Sequence, residues 1–71
     1  MRDYIDLVSI VIPVFNRVNF IKSAIDSALG QSYPHVEVVV TDNCSTDGTW
    51  ELLQKISSEN ENVRIYRNES N

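Results

Sequence analysis

Residues 37–53 read EVVVTDNCSTDGTWELL, and the way this stretch divides decides the fold. Glu37 to Thr41 is short, apolar and rich in β-branched valine, the composition of a strand buried on both faces. The polar run that follows, Asp42 to Thr49, is too dense in Asp, Asn, Ser, Thr and Gly to extend a strand. Beyond it Trp50, Leu53 and Ile56, joined by Leu52, recur at helical spacing, so an amphipathic helix is expected from Thr46 or Thr49 to Ser58. Ser45, Thr46 and Asp47 all qualify as its cap, because a short oxygen-bearing side chain accepts a bond from a first-turn amide.

Upstream, Leu7 to Ile12 (LVSIVI) is a second unbroken apolar run, stopped by Pro13, and predicts a first buried strand. Between the two strands, Phe20, Ile21, Ala24, Ile25, Ala28 and Leu29 fall on one side of a helix over 18–29, with Gly30 as its stop. QSYPHV then forms a loop in which Pro34 holds Tyr33 extended. Downstream, SENEN is a turn, and Val63 to Arg67 alternates Val63 and Ile65 with Arg64 and Tyr66, as an edge strand does.

Strand, helix, strand, helix, strand is an α/β pattern, a Rossmann-like βαβαβ unit with a parallel sheet ordered 3-2-1. Two right-handed crossovers advancing in one direction place both helices on one face of the sheet. The other face is then uncovered, so residues 1–71 are expected to form a single partial domain prone to association through that face. In open parallel sheets ligands sit at the carboxyl ends of the strands. The loops that meet there are PVFNR at 13–17 and the polar run after the second strand.

Composition narrows the function. Seventy-one residues bury only about 60% of the surface of the unfolded chain, so the core is marginal. Six basic and ten acidic residues give a net charge of −4, and the bases are scattered, which argues against a nucleic-acid partner. Cys44 is the single cysteine, and neither it nor His35 stands at metal-ligand spacing. That usage suits a reducing, cytoplasmic setting. Asp3 and Asp6 interrupt any signal-peptide core, and Leu7 to Ile12 is too short to span a bilayer.

Several motifs fail on their chemistry. A calcium loop started at Asn43 finds Ser45, Asp47 and Gly48 in place but Gln54 where the bidentate glutamate belongs. A phosphatase-type D-x-D-G-T has Ser45 where the attacking aspartate is needed. With only Gly30 and Gly48 in the chain, neither a dinucleotide fingerprint nor a Walker loop is present. The two loops do offer an aromatic face at Phe15, acceptors at Asp42 and Asn43, and a cation at Arg17, which together suit a base, a ribose and a phosphate. The same residues also have a plain structural reading, in which Phe15 packs on the sheet, Asp42 shapes a turn and Arg17 is solvated. His35, Cys44 and Trp50 read as a surface residue, a small loop residue and a core residue, respectively.

Three separated segments, VSIVIPVFNR at 8–17, ALGQSY at 28–33 and EVVVTDNCSTDGTWELL at 37–53, together resemble the start of a family 2 glycosyltransferase, in register from Val8 to about Asn68. The resemblance implies an incomplete A-type glycosyltransferase fold and the nucleotide-sugar-binding half of an enzyme of polysaccharide or cell-wall biosynthesis. That enzyme would move a sugar, with inversion, from a nucleotide-diphosphate sugar to a saccharide or lipid-linked acceptor. It further implies nucleotide contacts at Pro13, Phe15, Asn16, Arg17, Asp42 and Asn43. Phe15 stands where the family often has Tyr, and Asn43 where a second Asp is commoner. Asp47 is expected to shape the loop and cap the second helix. The divalent ion (Mn or Mg) of the full-length enzyme is expected to bind a D-x-D beyond the third strand, outside this chain, as are the catalytic base and the acceptor site. The chain is therefore expected to be inactive alone, and its full-length form to lie at the inner membrane surface. The alternative is a non-catalytic nucleotide-binding or interaction module completed by a partner.

Overall fold

The structure, a computed structural model, describes residues 7–31 and 35–69. The elements run β1 (Val8–Val14), α1 (Ile21–Leu29), β2 (Val36–Asp42), α2 (Thr49–Glu59) and β3 (Val63–Arg67). The three strands form one parallel sheet in the order β1-β2-β3, which is the expected 3-2-1 topology and is consistent with a Rossmann-like beginning of an A-type glycosyltransferase fold. Tyr33 and Pro34, and the conformation expected of them, lie outside the described residues.

Both helices pack on one face of the sheet and touch each other. There Ile21, Ile25 and Ala28 of α1 meet Val14, Val38, Val40 and Val63 of the sheet and Leu53 and Ile56 of α2. The stripe on α1 is narrower than expected. Phe20 precedes the helix and is 67% exposed, and Ala24 also faces solvent. Spacing marks Phe20 and Ile21 equally; adjacent residues lie about 100° apart on a helix, and only one of the pair points at the sheet.

Burial alternates along each strand, which corrects the expectation of strands buried on both sides. Ser9, Val11 and Pro13 of β1 are paired with Glu37, Val39 and Thr41 of β2. With Arg64 and Tyr66 of β3 they make the face that no described helix covers, leaving Val11 62% and Tyr66 55% exposed. The amino-terminal half of this face is closed by polar contacts. Ser9 Oγ donates to Glu37 Oε2 at 2.7 Å, and Arg64 Nε to Glu37 Oε1 at 3.1 Å.

β1 also runs past its expected stop, through Pro13 to Val14. The amide of Val8 donates to the His35 carbonyl and that of Asn43 to the Val14 carbonyl, so Val8 and Val14 turn their polar backbone atoms toward β2. Side alternates along a strand, and Pro13 therefore turns its nitrogen away from β2, where its missing N–H costs no ladder bond among the described residues.

The helix α1 begins at Ile21 rather than Val18, because residues 18–20 form a turn in which the amides of Phe20 and Ile21 both donate to the Arg17 carbonyl at 2.9 Å. It ends at Leu29 as expected, but Gly30 keeps φ at −81° and its amide donates to Asp26 O, so the stop does not use a left-handed glycine. The entry to α2 does: Gly48 has φ +97°, a conformation that costs a residue with a Cβ.

Candidate functional site

The loop after β1 and the loop after β2 meet at the carboxyl ends of the strands and are laced together by side chains. Ser45 is the centre of one crossing. Its Oγ accepts from the Asn16 amide at 2.8 Å and donates to Asp42 Oδ1, while its own amide donates to Asp42 Oδ2 at 3.2 Å. Asn16 returns the contact, with Oδ1 accepting from the Thr46 amide at 2.8 Å. Thr49 and Asp47 form a second crossing, in which Thr49 Oγ1 accepts from the Arg17 amide at 3.0 Å and donates to Asp47 Oδ1. Asp47 Oδ1 also takes the Thr49 amide at 3.0 Å, and Oδ2 takes the Val18 amide at 3.2 Å. Asp47 thus serves the start of α2 and the first loop at once.

These bonds answer the needs of backbone that leaves regular structure. The amides of Asn16, Arg17 and Val18 precede α1 and have no intrahelical carbonyl to reach, so side-chain oxygens of the second loop satisfy them. Asn16 has φ +50° and Cys44 +64°, left-handed values that an asparagine tolerates better than a cysteine. Both loops therefore hold a fixed, partly strained shape at the carboxyl end of the sheet. The Asp47 carboxyl lies below the ordinary carboxylate range, chiefly because the Thr49 hydroxyl donates to it, with the Val18 and Thr49 amides adding to the effect.

The expected site residues separate into a framework and a surface. Asp42 is fully buried; both its oxygens are engaged by Ser45, and Arg67 Nε approaches Oδ2 at 3.7 Å. It stands beneath the loops. Asn16 is half-buried and tied to Ser45 and Thr46. Phe15, at 40% exposure, Pro13 and Arg17 lie on the surface. Arg17 Nη1 folds back on the carbonyls of Phe15 and Asn16, at 3.2 and 3.0 Å. Asn43 is half-buried; its amide closes the sheet on Val14 O at 2.8 Å, and its Oδ1 accepts from Asn68 Nδ2 at 3.3 Å. Pro13, Phe15, Asn16 and Arg17 on one loop and Asp42 and Asn43 on the other are thus brought to one end of the sheet. His35 is exposed at the opposite end.

Sequence reasoning missed the bracing role of the Ser45 and Thr49 hydroxyls, and it missed Arg67 altogether. Arg67 follows the apolar residues of β3 and passes for a solvated strand end. In the fold its guanidinium carbon lies 5.6 Å from the centre of the Trp50 ring, and Nη2 donates to the Ser45 carbonyl at 3.2 Å. Trp50 is half-buried against the core, and its ring supports this cation.

No group of three or more His, Cys, Asp or Glu able to hold a metal ion is found among the described residues. Among the same residues no helix is long and apolar enough to cross a membrane.

Residues 9–71 match the glycosyl transferase family 2, and the chain belongs to that family. It is 37% identical over 71 residues to TuaG of Bacillus subtilis, a glycosyltransferase assigned to teichuronic acid biosynthesis, covering all of this chain and 28% of that protein. It is 41% identical over 51 residues to the Escherichia coli UDP-Glc:alpha-D-GlcNAc-diphosphoundecaprenol beta-1,3-glucosyltransferase WfaP, covering 72% of this chain and 20% of that enzyme. With the chondroitin synthase of Pasteurella multocida it shares 44% identity over 61 residues, 86% of this chain and 6% of that one. The chain thus spans less than a third of the length of each.

Proposed function

We propose that this chain is the nucleotide-recognition part of a glycosyltransferase that moves a sugar from a nucleotide-diphosphate sugar to a saccharide or lipid-linked acceptor with inversion. The observation that carries the reading is the laced pair of loops at the carboxyl ends of β1 and β2, in a chain of the glycosyl transferase family 2. Open parallel sheets receive ligands at this place.

In this reading Phe15 offers a face to the base, Asn43 an acceptor to a base or ribose donor, and Pro13 one wall of the slot. Arg17 swings its guanidinium from two loop carbonyls to a phosphate oxygen, exchanging neutral acceptors for a charged one. Asp42 and Asn16 belong to the site as its frame: they hold the turns that present Asn43 and Phe15. Members of this family commonly use a divalent ion, whose ligands in the full-length enzyme would come from residues other than those described. Proton removal from the acceptor likewise requires groups that we do not assign within this chain.

Calorimetric titration of the chain with uridine diphosphate and UDP-glucose, the donor named for the E. coli relative, tests the reading. Saturable binding with and without manganese is expected, with no sugar transfer by these 71 residues alone. Absence of binding by either compound overturns it. The uncovered sheet face, with Val11 and Tyr66 exposed, favours a second reading in which the chain is a non-catalytic module completed by a partner. Loss of nucleotide binding on adding that partner, rather than gain, would separate the two.

A further inference from the structure

Arg67 stands apart from every residue assigned so far. It is the last residue of β3, its side chain is 37% exposed, and its guanidinium is held on three sides. The Trp50 ring lies beneath it at 5.6 Å, Asp42 Oδ2 is 3.7 Å from Nε, and Ser45 O accepts from Nη2 at 3.2 Å. Asp42 and Ser45 are the two ends of the turn that carries Asn43. The strand end adds backbone support, because the Asn68 amide donates to the Asp42 carbonyl at 2.9 Å and Asn68 Nδ2 reaches Asn43 Oδ1.

We propose that Arg67 is a positioning residue of the nucleotide site, fixing the 42–45 turn so that Asn43 is presented to the base and ribose, with no contact of its own to the ligand. The inference rests on the function proposed above. Three features of the geometry carry it. A planar guanidinium matches a carboxylate edge, a carbonyl and a flat indole together, which an ammonium does not. Asp42 is fully buried, and the nearby cation offsets the cost of keeping its charge out of water. Cys44, inside the turn, sits at φ +64°, a conformation that persists only where its surroundings over-determine it.

The test compares uridine with uridine diphosphate on the wild-type chain and on Arg67→Met and Arg67→Lys. For R67M, affinity for both compounds is expected to fall by the same factor, roughly tenfold, with R67K recovering part of it. A fall for the diphosphate alone makes Arg67 a phosphate contact and overturns the proposal. Unchanged affinities of the folded fraction, whatever the melting temperature does, reduce Arg67 to a stabilising residue and overturn it as well. Failure of the wild-type chain to bind either compound sinks the proposed function instead. Amide exchange then reads the positioning directly: in R67M the Ser45 amide is expected to exchange at least about tenfold faster while Ile25 is unchanged, and equal exchange at Ser45 contradicts it. If R67M is unfolded, R67K carries the same comparisons with smaller shifts.

Discussion

The two faces of the sheet are built from the same strands and reach opposite ends. Toward the helices, Val14, Val38, Val40 and Val63 are buried against Ile21, Ile25, Leu53 and Ile56. On the other face Val11 and Tyr66 remain more than half exposed, and the polar contacts at Ser9, Glu37 and Arg64 occupy only its amino-terminal half. Stability therefore comes from one side of the sheet, while the proposed site lies at its carboxyl end, where side-chain hydrogen bonds tie the loops. Apolar burial on one face stabilises without direction, and the loop bonds, centred on the buried polar side chains of Asp42, Ser45 and Thr49, supply direction.

The sharpest way to break this division is at the covered face. Leu53→Ala removes a fully buried side chain between α2 and the sheet and should cost about 2–5 kcal/mol, enough to unfold a chain this small. Loss of the cooperative melt by circular dichroism is the expected result. Asp42→Ala should cost about 2–4 kcal/mol, because the Ser45 amide and hydroxyl and Arg67 lose a buried partner together. A denaturant titration reads it as a lower midpoint with unchanged slope.

Smaller effects come from the edge of the braced region and from the open face. Asp47 has a lowered carboxyl pKa, so its bracing is fully present above the ordinary aspartate range and is lost as pH falls through its depressed folded-state value. The melting temperature of Asp47→Asn should therefore lie below wild type at neutral pH and converge with it in strong acid; a constant gap across that range would contradict the assignment. Val11→Thr, on the uncovered face, should change stability by less than about 0.5 kcal/mol while reducing self-association, as seen by sedimentation or gel filtration. A monomeric wild-type chain would remove the reason for that change.

Much of the fold was readable because it rests on local signals. The apolar runs at 7–12 and 37–41, the helical spacing of Leu53 and Ile56, and the alternation at 63–67 each reported an element that the structure contains. Pro13 misled because strand-breaking depends on which side of the strand its nitrogen faces, and only the pairing with β2 decides that. Phe20 misled because its offset from Ile21 is a matter of angle, settled by where the helix starts. The site was readable in part, since topology alone brings 13–17 and 42–49 together. Its bracing was not: Asn16 and Ser45, Arg17 and Thr49, and Asp42 and Arg67 are remote in sequence and find each other only when the sheet has formed. No local pattern marks a serine hydroxyl that will serve a backbone amide of another loop.

The laced loops at the carboxyl ends of β1 and β2 are the proposed nucleotide site. Residue-resolved amide shifts of the chain during titration with uridine diphosphate test this most directly. The largest shifts are predicted at Phe15 to Arg17 and at Asn43 to Ser45, with His35 and the uncovered-face residues Val11 and Arg64 unmoved. Saturable shifts centred on His35 or on the uncovered face, with the two loops silent, would contradict it.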